Sequence, residues 1–123
     1  MSINSYQDLE VWQRGMTLAE MAYTLTKPFP REELFGMTSQ IRRAASSIPA
    51  NIAEGWGRES TKEFQHFLRI AQGSLRELET HLLLVQRVNL TTLDAIAPLM
   101  ETCQILGRQL IALQRSLTAK HDS

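Results

Sequence analysis

The chain has few of the residues that fasten a protein covalently or bind a metal. It holds one cysteine, Cys103, in 123 residues. No internal disulfide can form, and a reducing, cytoplasmic setting is expected. The histidines His66, His81 and His121 lack metal-ligand spacing. There is no glycine-rich phosphate loop and no Ser/His/Asp constellation at recognisable spacing, so no cofactor is implied. Neither sign of charge dominates: thirteen acidic residues balance thirteen basic ones. That argues against a whole-molecule polyphosphate sponge but leaves room for a local basic patch. No apolar run approaches a membrane span. The opening Met1-Ser2-Ile3-Asn4-Ser5 lacks the basic-then-apolar pattern of a secretion signal. The expectation is a soluble, cytoplasmic protein with no membrane partner. One domain of this length can bury a core without staples.

What is present is helical periodicity. No segment alternates like a strand, and four helices are expected over residues 8–26, 37–56, 60–87 and 91–118. The first carries a stripe of Leu9, Trp12, Met16, Ala19 and Tyr23 at three- and four-residue steps. Lys27-Pro28-Phe29-Pro30 ends it, because proline disfavours helix at the residue before it. The second has Met37, Ile41, Ala44, Ile48 and Ile52 on one side, with Gly55 and Gly57 as stop signals. The third opens on Ser60-Thr61-Lys62-Glu63, the pattern of a capping box. It repeats Phe64, Ala71, Leu78 and Val85 every seven residues, with Phe67, Leu68, Leu75 and Leu82 in adjoining core positions. The fourth aligns Ile96, Leu99, Cys103, Leu106, Leu110, Leu113 and Leu117, and Pro98 marks either a late start or a kink in its first turns. Short connections make neighbours antiparallel, so the expected fold class is all-α, an up-down-up-down four-helix bundle.

The segment 47–58, Ser-Ile-Pro-Ala-Asn-Ile-Ala-Glu-Gly-Trp-Gly-Arg, breaks the local rules. Pro49 in mid-helix lacks an amide hydrogen and clashes with the carbonyl of Ala45, costing on the order of 3 kcal/mol unless the helix bends. A kink near Pro49 is therefore expected, with Ser46 and Ser47 placed to satisfy freed backbone groups. Beside the core stripe runs a ridge of small residues: Ser46, Pro49 or Ala50, Ala53 and Gly57. It either admits a close neighbour, inside the bundle or between subunits, or reflects alanine's helix preference. The polar residues Arg42, Arg43, Asn51, Glu54 and Arg58 form either a network that fixes register or a subunit contact, or a solvated face. Glu54 precedes Arg58 by four residues, the favourable order for a helical ion pair.

These residues resemble a known family, the four-helix-bundle proteins encoded in intervening sequences of bacterial 23S rRNA genes. The resemblance covers nearly the whole chain. It runs through Leu9-Glu10-Val11-Trp12-Gln13, Phe29-Pro30 with Glu33, Thr38-Ser39-Gln40-Ile41-Arg42-Arg43-Ala44, the Ser47 to Gly55 string, Glu63-Phe64, and Ala71-Gln72-Gly73-Ser74-Leu75-Arg76-Glu77-Leu78-Glu79. The fourth helix matches in pattern only. The resemblance implies a homopentamer. It also implies a relationship in fold to the accessory variability determinants of diversity-generating retroelements, basic pentamers that work with a reverse transcriptase and its template RNA. One departure is Gln72, where the family often has arginine.

Lys62, Arg69 and Arg76 recur every seven residues and line one side of the third helix, with His66 between the first two. In a ring of copies such stripes would bind RNA, free or with a reverse transcriptase, through many weak contacts even at zero net charge. The plainer reading is a solvated face, diluted by an adjoining strip of Gln65, Gln72, Glu79 and Gln86. Catalysis has one weak signal. Arg76 and His81 match the Arg-x4-His spacing of the HEPN ribonucleases, another helical-bundle family. Five residues apart on a regular helix, the two side chains point roughly 140° apart. His81 also falls toward the core, as a satisfied histidine would, and Trp12 and Trp56 read as packing anchors. The sequence points to a non-enzymatic oligomeric scaffold. The alternatives are a purely structural oligomer without nucleic acid and a metal-independent ribonuclease.

Overall fold

A computed structural model describes residues 3–122 and the side chains of residues 3–119. The described residues hold four helices and no strand: α1 (Glu10–Thr26), α2 (Met37–Trp56), α3 (Thr61–Arg87) and α4 (Leu93–Asp122). Short 3-10 turns precede α1 (Tyr6–Asp8) and α2 (Arg31–Glu33). Contacts run in opposite order along each pair of successive helices, late residues of one meeting early residues of the other. Pro49 meets Gly15, and Arg42 meets Thr26. Ser47 meets Ser74, Gly55 meets Phe67, and Gln65 meets Gln114. Neighbouring helices therefore run antiparallel, and α1 closes the bundle against α4.

The helix ends follow from local chemistry. The Ser60 hydroxyl accepts the Glu63 amide at 3.1 Å and starts α3. Only this half of the expected capping box is made; the reciprocal box is instead found at Ser5 and Asp8, ahead of α1. Thr92 caps α4 by accepting the Ala95 amide at 3.1 Å, so Pro98 lies inside the helix and not at a late start. α3 stops at Asn89, whose φ of 65° is left-handed. There the amides of Leu90 and Asn89 bond the carbonyls of Val85 and Gln86, a Schellman arrangement with asparagine where glycine is usual.

The core follows the expected heptads of α3 and α4: Leu68, Leu75, Leu78 and Leu82 pack with Cys103, Leu106 and Leu110, all fully buried. α1 departs from expectation. Its buried side is Val11, Gly15, Leu18, Ala22 and Thr26. Of the expected stripe only Leu9 is buried, while Met16 is 39% and Tyr23 45% exposed. Both sets have helical spacing, and the bundle buries the smaller one because α1 lies close on α2, with Gly15 against the Pro49 ring. The larger residues are left on the flank. Trp12 stacks edge-on to Tyr6, and Tyr23 lies under the Arg42 guanidinium at 4.6 Å.

Pro49 sits buried inside one continuous α2. Ser46 and Ser47 do not compensate it at the Ala45 carbonyl. The Ser46 hydroxyl donates to Arg43, and the Ser47 hydroxyl pairs with Ser74. Gly55 does not stop the helix but lets α2 touch α3: a Cβ there would lie 2.6 Å from the Cβ of Phe67.

Candidate nucleic-acid and assembly surfaces

Helical spacing puts Lys62, Arg69 and Arg76 on one side of α3, and all three are exposed, as is His66. Arg76 is partly engaged. It donates to Glu79 at 2.7 Å, and its guanidinium lies over Gly107 of α4. Lys62 and Arg69 make no ion pair among the described residues. His66 packs edge-on to Phe67 and stands toward α2, beside the stripe.

The adjoining strip turns toward α4, and its one acid, Glu79, offsets a single cation of the stripe, Arg76. Gln65 donates to the Gln114 carbonyl and, at 2.7 Å, to the Thr118 hydroxyl. Both polar atoms of the Gln72 amide are buried without a partner. Glu79 is mostly covered by its pairing with Arg76. The α4 side of this face adds two cations that the reading of α3 alone missed. Arg108 and Arg115 are exposed, one heptad apart, and directly follow Gly107 and Gln114, which touch α3. The seven-residue spacing was the available signal; the antiparallel pairing that joins them to the α3 stripe is a tertiary fact.

The polar residues of α2 divide between two neighbours. Arg42 turns to α1, where its Nε donates to the Thr26 hydroxyl at 2.9 Å. Arg43 turns to α3 and donates to Glu77. Asn51 donates to the Ser47 carbonyl and hydroxyl, and that hydroxyl shares a 2.8 Å bond with Ser74. Glu54 and Arg58 pair at 2.7 Å on the exposed end of α2, with Arg58 over the Phe67 ring. Pro49 serves the α1 contact. Each group thus has a partner within its own chain. Of the small ridge, Ser46, Ala50 and Gly57 are exposed and Ala53 is half-buried.

Arg76 and His81 are not brought together. Arg76 leans on α4, whereas His81 stands by Glu77 on the α2 side, 3.6 Å from its carboxylate. Its Nε2 is buried without a hydrogen bond, so it is not the satisfied histidine expected. Burial pushes the Cys103 thiol up to about 12, the Glu79 carboxylate adds to the rise and Arg76 opposes it. Such a thiol stays protonated and is a poor nucleophile at neutral pH. Among the described residues no cluster of three His, Cys, Asp or Glu could hold a metal, and no helix is long and apolar enough to cross a membrane. The His121 side chain lies outside the described residues.

Trp12 and Trp56 are half-buried. Each indole packs edge-on against a neighbouring ring, Trp12 against Tyr6 and Trp56 against Phe64.

This fold has solved counterparts. One is a crystal structure of a protein with unknown function from the S23 ribosomal protein family of Bacteroides thetaiotaomicron VPI-5482. It is 25% identical, superposes with a TM-score of 0.76, and the match covers 85% of this chain and 97% of that one. No curated protein matches the chain. The model of the family described as 23S rRNA-intervening sequence protein matches residues 7–112, which take in α1, α2, α3 and most of α4. The chain belongs to the 23S rRNA-intervening sequence protein family.

Proposed function

We propose that this chain is a non-enzymatic, self-assembling scaffold that binds RNA phosphates along its α3–α4 face. The observation that carries the reading is the two-helix array of exposed cations: Lys62, Arg69 and Arg76 on α3, with Arg108 and Arg115 on α4. Phosphate recognition needs repeated positive charge and little else, and it tolerates sequence. The cations repeat at heptad spacing along two helices, which suits a backbone track more than a reacting group. Copies of the chain joined in a ring would repeat the array, and linked weak contacts gain affinity through effective concentration. The partner is RNA, free or carried by a reverse transcriptase.

Fluorescence anisotropy with a structured RNA tests this. Binding at low salt should weaken steeply at moderate salt, whatever the RNA sequence. Replacing Lys62, Arg69 and Arg76 together by alanine should cost at least tenfold and flatten the salt dependence; Arg108→Ala with Arg115→Ala should do the same more weakly. No binding at low salt, or an unaltered triple variant, would overturn the reading. The ribonuclease alternative requires cleavage that is lost in both Arg76→Ala and His81→Ala, and the separation of those side chains speaks against it.

A further inference from the structure

One cavity away from the α3–α4 face gathers an aromatic ring, hydroxyls and a guanidinium with free donors. Its volume is about 430 Å³, and its lining includes Tyr23 of α1, Phe35 ahead of α2, and Thr38, Ser39 and Arg42 of α2. Phe35 is 93% exposed. The main chain on either side of it is fixed. The Leu34 and Gly36 amides bond the Arg31 and Glu33 carbonyls, and the Met37 amide bonds the Glu33 carboxylate. An aromatic face held in water is a costly surface unless something covers it. Thr38 is only 4% exposed, yet its hydroxyl makes no hydrogen bond to a described residue. A hydroxyl buried this far ordinarily has a partner. Arg42 is held from behind: its guanidinium lies 4.6 Å from the centre of the Tyr23 ring, and its Nε donates to Thr26. Both terminal nitrogens are left without a partner among the described residues. The other arginine of the lining, Arg43, is engaged with Glu77. The neighbouring acid Glu33 turns its carboxylate to the Met37 amide and does not line the cavity.

We propose that this cavity binds an unpaired nucleotide, with the base stacked on Phe35 and the phosphate on the terminal nitrogens of Arg42. The site is separate from the α3–α4 face and does not depend on it. Unstacked bases are held on aromatic rings, and the exposed ring of Phe35 offers such a platform. A base inside a duplex already has both faces covered by its neighbours, so the nucleotide must be unpaired. The guanidinium fork matches two phosphate oxygens, and stacking on Tyr23 fixes its plane. Between ring and guanidinium lie Thr38 and Ser39, whose hydroxyls both donate and accept, as the hydroxyls of a ribose do. Thr38 and Arg42 are four residues apart, about 6 Å along a helix. Ring, hydroxyls and guanidinium thus follow one another in the order base, sugar, phosphate. The volume also falls in the range of about 300–1,000 Å³ usual for small-ligand sites. A free nucleotide and an unpaired stretch of RNA share this chemistry.

Fluorescence of 2-aminopurine, a base analogue quenched when it stacks, tests this on the intact chain. Two probes are used: the free 2-aminopurine ribonucleoside monophosphate, and a single-stranded RNA carrying one 2-aminopurine at its centre. Titration with the protein should quench the single strand. A quench of the monophosphate as well would identify a free nucleotide as sufficient, and a quench of the strand alone would identify the source as RNA; both support the site. Phe35→Ser should weaken the quenched complex about tenfold, the value of one base on an aromatic ring. Its helix content by circular dichroism should be unchanged, because the ring it removes is exposed. Phe35→Trp should keep the quench, and Arg42→Gln should weaken it by a similar factor. At saturating protein the quench should persist when Lys62, Arg69 and Arg76 are replaced together by alanine, so failure of the α3–α4 face and failure of this cavity are read separately. No quench of either probe, or an equal quench in Phe35→Ser, overturns the proposal. A quench kept in Phe35→Ser but lost in the triple variant would put the base on the α3–α4 face instead.

Discussion

The seam between α2 and α3 and the seam between α1 and α4 bury similar aliphatic side chains, yet one is shut and the other is open. At the first, Gly55 lets the backbone of α2 come down on Phe64 and Phe67. The contact is then cross-linked by Ser47 with Ser74 and by Arg43 with Glu77. At the second, the one side-chain hydrogen bond among the described residues runs from the Thr102 hydroxyl to the Met21 sulfur at 3.8 Å. Its outer edge stands apart as the groove of about 550 Å³. The difference lies in side-chain size. A glycine removes the spacer between α2 and α3, whereas Met21, Leu25 and Pro98 prop α1 and α4 apart at the surface. The closed seam is complete within one chain. The open one has room for something else.

The comparison breaks most sharply at Gly55. A methyl group there would meet the Cβ of Phe67, which is fixed to the α3 backbone and cannot swing aside. Overpacking of this kind costs about 1–3 kcal/mol, against a gain of about 1 kcal/mol from placing alanine in a helix. Gly55→Ala should therefore lower the unfolding free energy, and Gly55→Leu should lower it far more. Denaturant melts at one fixed chain concentration would show this, since any self-association adds its own stability. An unchanged midpoint in both variants would mean that α2 and α3 are not in close contact.

A smaller effect is expected at the hydroxyl pair. Ser47 and Ser74 share a half-buried hydrogen bond, worth about 1 kcal/mol net. A double-mutant cycle on Ser47→Ala and Ser74→Ala should return a coupling of about that size. Zero coupling would indicate that Asn51, which also donates to Ser47, holds that hydroxyl alone.

The sequence was most legible where periodicity had one solution. In α3 and α4 the seven-residue repeat singles out one apolar side, and that side is buried from Phe64 to Val85 and from Ile96 to Leu110. In α1 two sides have helical spacing. Residue size favours the one with Trp12 and Tyr23, but the packing distance to α2 selects the one with Gly15 and Ala22. That distance is set by Pro49, a residue on another helix, and does not appear in the periodicity of α1. Gly55 is the same lesson: near a helix end it reads as a stop, and only the position of Phe67 shows it as a contact. The candidate basic face was half legible. Its α3 stripe has a spacing, but Arg108 and Arg115 join it only once α4 folds back antiparallel. The Asn89 left-handed turn that starts this return carries no apolar pattern at all.

Gly15 offers the finest test of how tight the α1–α2 contact is. A Cβ there would lie 3.4 Å from the Cβ of Pro49 and 3.5 Å from its Cδ and nitrogen. That is ordinary van der Waals contact, so a methyl group would fill space and not force the helices apart. Alanine also restricts the unfolded chain, and at a compatible helical site the exchange stabilises by about 0.4–1 kcal/mol. Gly15→Ala should therefore raise the unfolding midpoint slightly, the opposite sign to Gly55→Ala for the same chemical change in the same bundle. A loss of stability at Gly15 would mean that the proline ring has no slack. The α1–α2 contact would then belong with the closed α2–α3 seam, leaving the α1–α4 groove as the one loose joint among the four.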